Sequence, residues 1–260
     1  MMGQNSSKQS FISHLEILRW HFFRSFISIL VGTIIVFFNK SFVFDKIIFA
    51  CKENSFPTYV FLCQVSDKLC IKDMPFILMN IEMAGQFMMH ILVSVVGGVI
   101  ISFPYILYEL WLFVSPAMYK GEKKTSVIMF LIAFFLFILG VLFGYYVIIP
   151  FSINFLSSYN ISGVIENNIH FISFIKTFTT IILTTGLLFQ LPLVIFGLTK
   201  FNLITPNQLV QYRRHAFVII LIMASILTPP DVFSQILIGL PIFILYEISI
   251  FISRISKPKL

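Results

Sequence analysis

Between Glu82 and Glu109 the chain runs for 26 residues without a formally charged side chain. As a helix, a stretch of that length covers about 39 Å, more than the ~30 Å hydrocarbon core of a bilayer. In hydrocarbon every backbone polar group must be satisfied within the segment, so the crossing segments of such a chain are helical. Six stretches qualify: residues 20–38, 84–107, 126–149, 177–198, 215–228 and 232–248, with a long loop over 39–83. The expected fold is an all-α membrane protein, a single polytopic domain of six transmembrane helices. Only 11% of the residues are charged, against roughly 25% in soluble domains, so the bilayer is the expected solvent.

The last two stretches are short. Sixteen residues give about 24 Å, less than the hydrocarbon thickness, so these helices must thin the bilayer or be shielded by protein. A re-entrant hairpin is the alternative, and it leaves the C-terminus on the same side. The first apolar run lacks a small-x-small cleavage site and reads as an anchor. Residues 10–21 place Phe11, Leu15, Leu18 and Phe22 on one helical face, a surface helix running into the first span.

Orientation follows from lysine and arginine in short loops. With six spans, the termini and the loops at 109–124 and 200–214 share a side holding twelve positive residues against four acids. The opposite side holds six positive residues and seven acids, and the two sides together give the net charge of +7. Both termini are therefore expected in the cytoplasm. The external loop carries all three cysteines, Cys51, Cys63 and Cys70. In an oxidising compartment a Cys63–Cys70 disulfide and three free thiols are both open readings. The positive charge is not gathered on a solvated domain, so nucleic acid is not an expected partner.

No phosphate loop, GxSxG or HExxH pattern is present, and the five histidines lack metal-ligand spacing. The expectation is a protein without catalytic residues, cofactor or metal. The informative side chains are carboxylates and amides in apolar surroundings. Glu122 supports two readings: a first-turn acid favouring the helix dipole, or an acceptor able to take a guanidinium through two parallel hydrogen bonds. Physics alone favours the first. Ser13 to Glu16 fits a capping box. Glu109, beside Trp111, reads as an ordinary interfacial acid. Gln190 and Gln235 fall inside expected spans, where an amide seeks a partner. Pro104, Pro150, Pro192 and Pro241 predict kinks or breaks. Gly140-xxx-Gly144 is a weak signal of close helix approach. Asp231, after two prolines, is either a cap for the last span or an exposed external acid.

Five segments in order carry a family resemblance. They are His14-Leu-Glu-Ile-Leu-Arg19; Pro104-Tyr-Ile-Leu-Tyr-Glu-Leu-Trp-Leu-Phe113 with Ser115-Pro-Ala-Met-Tyr-Lys-Gly-Glu122; Gly144-Tyr-Tyr-Val-Ile-Ile-Pro150; Phe189-Gln-Leu-Pro192; and Thr228-Pro-Pro-Asp-Val-Phe-Ser-Gln235. Over about residues 10–253 the chain resembles TatC, the multispan receptor of the twin-arginine (Sec-independent) protein translocase. Residues 84–90 and the long external loop resemble the Bacteroidetes branch. The resemblance implies a concave, glove-like bundle in the cell inner membrane, with short fifth and sixth helices. It implies binding of signal peptides with paired arginines and partnership with TatA-type and TatB-type single-span subunits. It further implies homo-oligomers within the complex and export of folded precursors, driven by the proton-motive force, without enzymatic activity. By motif position it assigns recognition to Glu122, Glu16, Phe113, Pro104 and Arg19, and family positions to Asp231 and Gln235.

Two departures stand out. Ile17 occupies the position where the family pattern has glutamate, and the carboxylate sits one residue earlier, at Glu16. Gln190 stands where the family often has a glutamate, so no proton can be exchanged there. A proton-coupled small-solute transporter is the competing reading. Such proteins place ionisable groups near the midplane and show internal repeats, and neither is evident in this sequence. An intramembrane enzyme, a third reading, lacks any nucleophile–base or metal pattern.

Overall fold

The computed structural model describes residues 4–65, 77–114, 123–158, 168–200, 203–227 and 232–256. Helices dominate: α1 Gln4–Phe38, α2 Pro57–Val65, α3 Gly85–Val114, α4 Lys123–Phe143, α5 Ile149–Ser158, α6 Phe171–Leu188, α7 Leu191–Lys200, α8 Pro206–Gln211, α9 Arg213–Leu227 and α10 Val232–Ser256. Two three-residue strands, β1 (Ile77–Met79) and β2 (Asn168–His170), pair in parallel with Ile77 opposite Asn168. Among the described residues, five stretches are long and apolar enough to cross a membrane: Glu16–Phe38, Gly85–Phe113, Val127–Ser158, Phe171–Lys200 and Gln235–Arg254. Helix α9, at the fifth expected position, has 15 residues, about 22 Å, and falls short of the hydrocarbon thickness.

The chain forms two compact units, residues 1–39 with 91–135 and residues 40–90 with 136–260. In the first, α1 meets α3 along a seam of small residues. A Cβ on Gly32 would lie 2.8 Å from the Gly98 carbonyl oxygen, and one on Gly98 would lie 2.6 Å from the Thr33 nitrogen. Ser102 Oγ donates to the Ser28 carbonyl at 2.7 Å. Lipid supplies no hydrophobic drive for helices to associate, so close backbone approach and such hydrogen bonds hold the pair.

In the second unit α10 packs on α7 and α9. Thr199 and Ser253 hydroxyls bond at 2.9 Å in the buried α7–α10 contact, and Arg213 pairs with Glu247 across α9 and α10 at 2.7 Å. The weak Gly140-xxx-Gly144 signal marks a real approach of α4 to α6: added Cβ atoms there would strike the Thr185 carbonyl oxygen and Thr185 Oγ1 respectively. Thr205 caps α8 in a reciprocal box with Gln208, with Pro206 at the first turn, which satisfies orphan donors in the loop before α9.

Several boundaries differ from the sequence expectation. The third span does not stop at Pro150. The chain passes through a π-helical segment, Gly144–Ile148, and continues as α5 to Ser158. The wider π turn accommodates a proline whose ring would otherwise meet the carbonyl four residues earlier. Pro104 and Pro241 lie within continuous helices. Pro192 alone follows a break, the turn at Phe189–Gln190 between α6 and α7. The last helix runs to Ser256 rather than to 248. Ser13 is not a cap, since α1 is already helical from Gln4.

The stretch at 39–83 is more than a loop. It contains a π-helical segment Phe42–Ile48, a 3-10 turn Phe49–Lys52 and α2. Cys51 and Tyr59 are fully buried there; Tyr59 donates to the Cys51 carbonyl at 2.9 Å, and Phe56 stacks on Tyr146. Cys51 is a free thiol, whereas Cys63 is disulfide-bonded; Cys70 lies outside the described residues. Burial pushes the Cys51 thiol from 9.0 up to about 12. Its stabilising contribution is complete below pH 9, where folded and unfolded thiols are both protonated, and is lost as pH rises from 9 towards 12. Two results are expected for the native protein: no maleimide labelling of Cys51 at pH 8, and a loss of stability between pH 9 and 11 that is smaller in Cys51→Ala. Denaturation midpoints across that range check the second.

Candidate functional site

Helix spacing sets up the candidate site in the first unit. Tyr105, Glu109 and Phe113 recur every four residues along α3 and share one face. His21 on α1 meets that face. Its Nδ1 lies 2.5 Å from Glu109 Oε2, and the Tyr105 hydroxyl donates to Glu109 Oε1 at 2.6 Å. A carboxylate accepts only, so Nδ1 carries the proton of the first bond. The His21 and Phe113 rings meet edge-on with centroids 6.0 Å apart. Glu109 itself is only 2% exposed. It is not the ordinary interfacial acid its neighbourhood in sequence suggests; it is a buried carboxylate with a donor on each oxygen.

Around this cluster the surface is polar and aromatic. Glu16 and Arg19 are exposed on α1, and so is Ile17. Tyr108 stacks on Trp111 with centroids 6.1 Å apart, and Tyr105 lies beside Tyr108. Pro104 is half-buried within α3. Having no N–H, it leaves the Ile100 carbonyl without its usual helical donor, one turn from Tyr105. Arg24 lies within electrostatic reach of Glu109. The arrangement can do two things chemically. It fixes the end of α3 against α1 through a buried carboxylate, and it sets exposed tyrosines beside that carboxylate on α3.

Of the sequence-predicted site residues, the structure groups Glu16, Arg19, Pro104 and Phe113 in one unit, with Phe113 held by His21. Glu122 and Asp231 lie outside the described residues. Gln190 and Gln235 belong to the second unit. Gln190 is buried, but it sits in the turn between α6 and α7 rather than mid-helix; its carbonyl accepts from Leu193 and Val194 and so starts α7. Gln235 Nε2 donates to the Leu221 carbonyl of α9 at 3.0 Å, an interhelical bond between α9 and α10. His21 and Glu109 were missed. The readable signal was the four-residue spacing of Tyr105, Glu109 and Phe113; what covers that stripe depends on tertiary packing. Among the described residues no group of three or more potential metal ligands gathers.

The comparisons with known proteins agree with one another. A family model described as Sec-independent protein translocase protein (TatC) matches residues 13–241. A protein of Blattabacterium sp. subsp. Periplaneta americana, named Sec-independent protein translocase protein TatC, is 38% identical over 99% of this chain and 100% of its own length. It comes from a Bacteroidetes endosymbiont. The protein of the same name from Helicobacter pylori (strain ATCC 700392 / 26695) is 36% identical over 88% of this chain and 83% of its own. Among solved structures, the crystal structure of a twin arginine translocase receptor, TatC, superposes with a TM-score of 0.74 at 28% identity, covering 94% of this chain and 99% of that one.

Proposed function

Because this chain belongs to the TatC family of Sec-independent protein translocase proteins, we propose that it is the receptor that binds twin-arginine signal peptides at the cytoplasmic end of its first unit. The observation that carries the reading is the buried Glu109–His21 pair with Phe113 edge-on to His21, in the same unit as the exposed Glu16 and Arg19. Glu122 supplies the main acceptor for the paired arginines, and Phe113, seated on His21, lines the approach. With isoleucine at position 17, the stretch 103–124 carries more of the recognition than the N-terminal segment does. An exposed arginine–carboxylate pair contributes only about 0–1 kcal/mol. Selectivity therefore arises from bidentate pairing together with burial of the apolar signal segment in the membrane.

TatA-type and TatB-type single-span subunits complete the working complex in the inner membrane, several copies of this chain assemble within it, and the proton-motive force drives passage of folded cargo. Gln190 contributes hydrogen bonding to this cycle, not proton exchange.

Site-specific crosslinking tests the reading. A photoreactive side chain placed within residues 103–124 is expected to capture a twin-arginine precursor in membranes. Capture falls about tenfold in Glu122→Ala, the loss of a charge-assisted bidentate contact, and less in Glu16→Ala. Equal capture by wild type and Glu122→Ala would remove Glu122 from recognition.

A further inference from the structure

We propose that a cleft in the second unit, beside the π-helical segment Phe42–Ile48, binds a phospholipid whose headgroup carries a primary amine. The cleft has a volume of about 970 Å³. Pockets for small ligands run to roughly 300–1,000 Å³, so it accommodates a headgroup, the glycerol and the first part of the acyl chains. Its lining includes the exposed, charged Lys40 and Asp45, which form its rim, together with His90, Phe44, Phe87 and Phe171. Lys40, Asp45 and Phe87 are exposed; the other three are half-buried, so the cleft is open to an entering molecule.

Depth decides the class of ligand. Phe171 opens the membrane-crossing stretch Phe171–Lys200, and Phe87 and His90 lie in the first two turns of Gly85–Phe113. Lys40 follows the end of Glu16–Phe38 by two residues. The cleft therefore stands at the level where spans enter the bilayer, on the face the lysine and arginine count assigns to the outside. The Cys63 disulfide in the same loop fits that face. At this depth lipid headgroups are the prevailing solutes, and acyl chains cover phenylalanines that a water-soluble ligand leaves wet.

Charge decides the headgroup. One rim cation and one rim acid match a zwitterion. The Lys40 ammonium suits the phosphate, and the Asp45 carboxylate suits an ammonium with N–H bonds to donate. A choline headgroup has no N–H, and a glycerol headgroup has no positive charge.

Native mass spectrometry of the full chain, purified in detergent and stripped of lipid, tests the proposal. The probes are phosphatidylethanolamine, phosphatidylcholine, phosphatidylglycerol and chainless glycerophosphoethanolamine. One equivalent of phosphatidylethanolamine is expected to be retained, about fivefold in preference to the other two lipids, the size of a partly exposed charge pair. Asp45→Asn erases that preference, Lys40→Gln weakens retention of all three lipids, and Phe87→Ser lowers retention without altering the preference. All three positions bear on the rim or its exposed wall, and unchanged helicity confirms that each variant is folded. Equal retention of the three lipids by wild type would overturn the proposal, as would a preference that survives Asp45→Asn. Chainless headgroup bound as tightly as lipid would assign the cleft to a soluble ligand instead, and displacement of the lipid by a signal peptide would assign it to peptide.

Discussion

Replacing Glu109 by leucine lowers the stability of the purified protein by about 2–4 kcal/mol, the cost of leaving two donors without their acceptor and of breaking a buried pair. The change removes the acceptor of His21 Nδ1 and of the Tyr105 hydroxyl. His21→Leu alone is also destabilising, because it leaves a carboxylate that is 2% exposed without its neighbour on α1. The double variant recovers much of either loss, since two apolar groups of similar size replace the buried pair and the Tyr105 hydroxyl, which also loses its acceptor, belongs to an exposed side chain. A double-mutant cycle measured by thermal or denaturant unfolding in detergent gives the coupling directly. Additive losses would show that the two side chains do not act as a pair. Signal-peptide binding separates the roles further. The double variant folds but has lost the histidine that seats Phe113, so it binds twin-arginine precursors less well than its stability alone accounts for.

Gly98→Leu gives the second large effect. Even a single added carbon at Gly98 would sit 2.6 Å from the backbone nitrogen of Thr33 and 2.8 Å from its Cα. Backbone atoms cannot swing aside as a side chain can, so α1 and α3 must separate. Gly98→Ala costs about 1–3 kcal/mol by overpacking, and leucine costs more and breaks the seam. Gly197 is the control. A Cβ there meets nothing within 4 Å, so Gly197→Ala on α7 raises stability by about 0.5–1 kcal/mol through helix propensity. Thermal unfolding of the three variants in one detergent checks the order, and a Gly98→Ala protein as stable as Gly197→Ala would contradict the seam.

Much of the fold was legible because the bilayer imposes a simple rule. Charge-free stretches must be helical, and those ending near Phe38, Tyr108 and Lys200 could be read directly. Helix ends at prolines were not legible. Whether Pro150 stops a helix depends on whether the preceding turn can widen, and the π segment at Gly144–Ile148 does so. The break at Phe189–Gln190 falls just before Pro192, one of the prolines expected to kink or break a span. The structured segment over 42–65 escaped notice because its order comes from aromatic packing around Tyr59, Phe56 and Tyr145, which has no periodic signature. At the proposed site, Glu16 and Arg19, both exposed, are assigned from motif position. Glu109 was passed over because an acid beside a tryptophan at a span end is common. Only the packing of His21 from α1, 88 residues away, distinguishes it from an ordinary interfacial acid. Gln235 was read as an amide that seeks a partner within a span, and its side chain donates to the Leu221 carbonyl of α9.

The central claim is that this chain recognises paired arginines. Its most direct test is the affinity of membranes containing the chain for a precursor with a twin-arginine signal, compared with the same precursor carrying two lysines. A lysine is a point charge that cannot bridge a carboxylate through two parallel bonds. The account predicts binding to the twin-arginine precursor at least about tenfold tighter, the equivalent of 1.4 kcal/mol, and loss of that difference in Glu122→Gln. Equal affinity for the two precursors would contradict it.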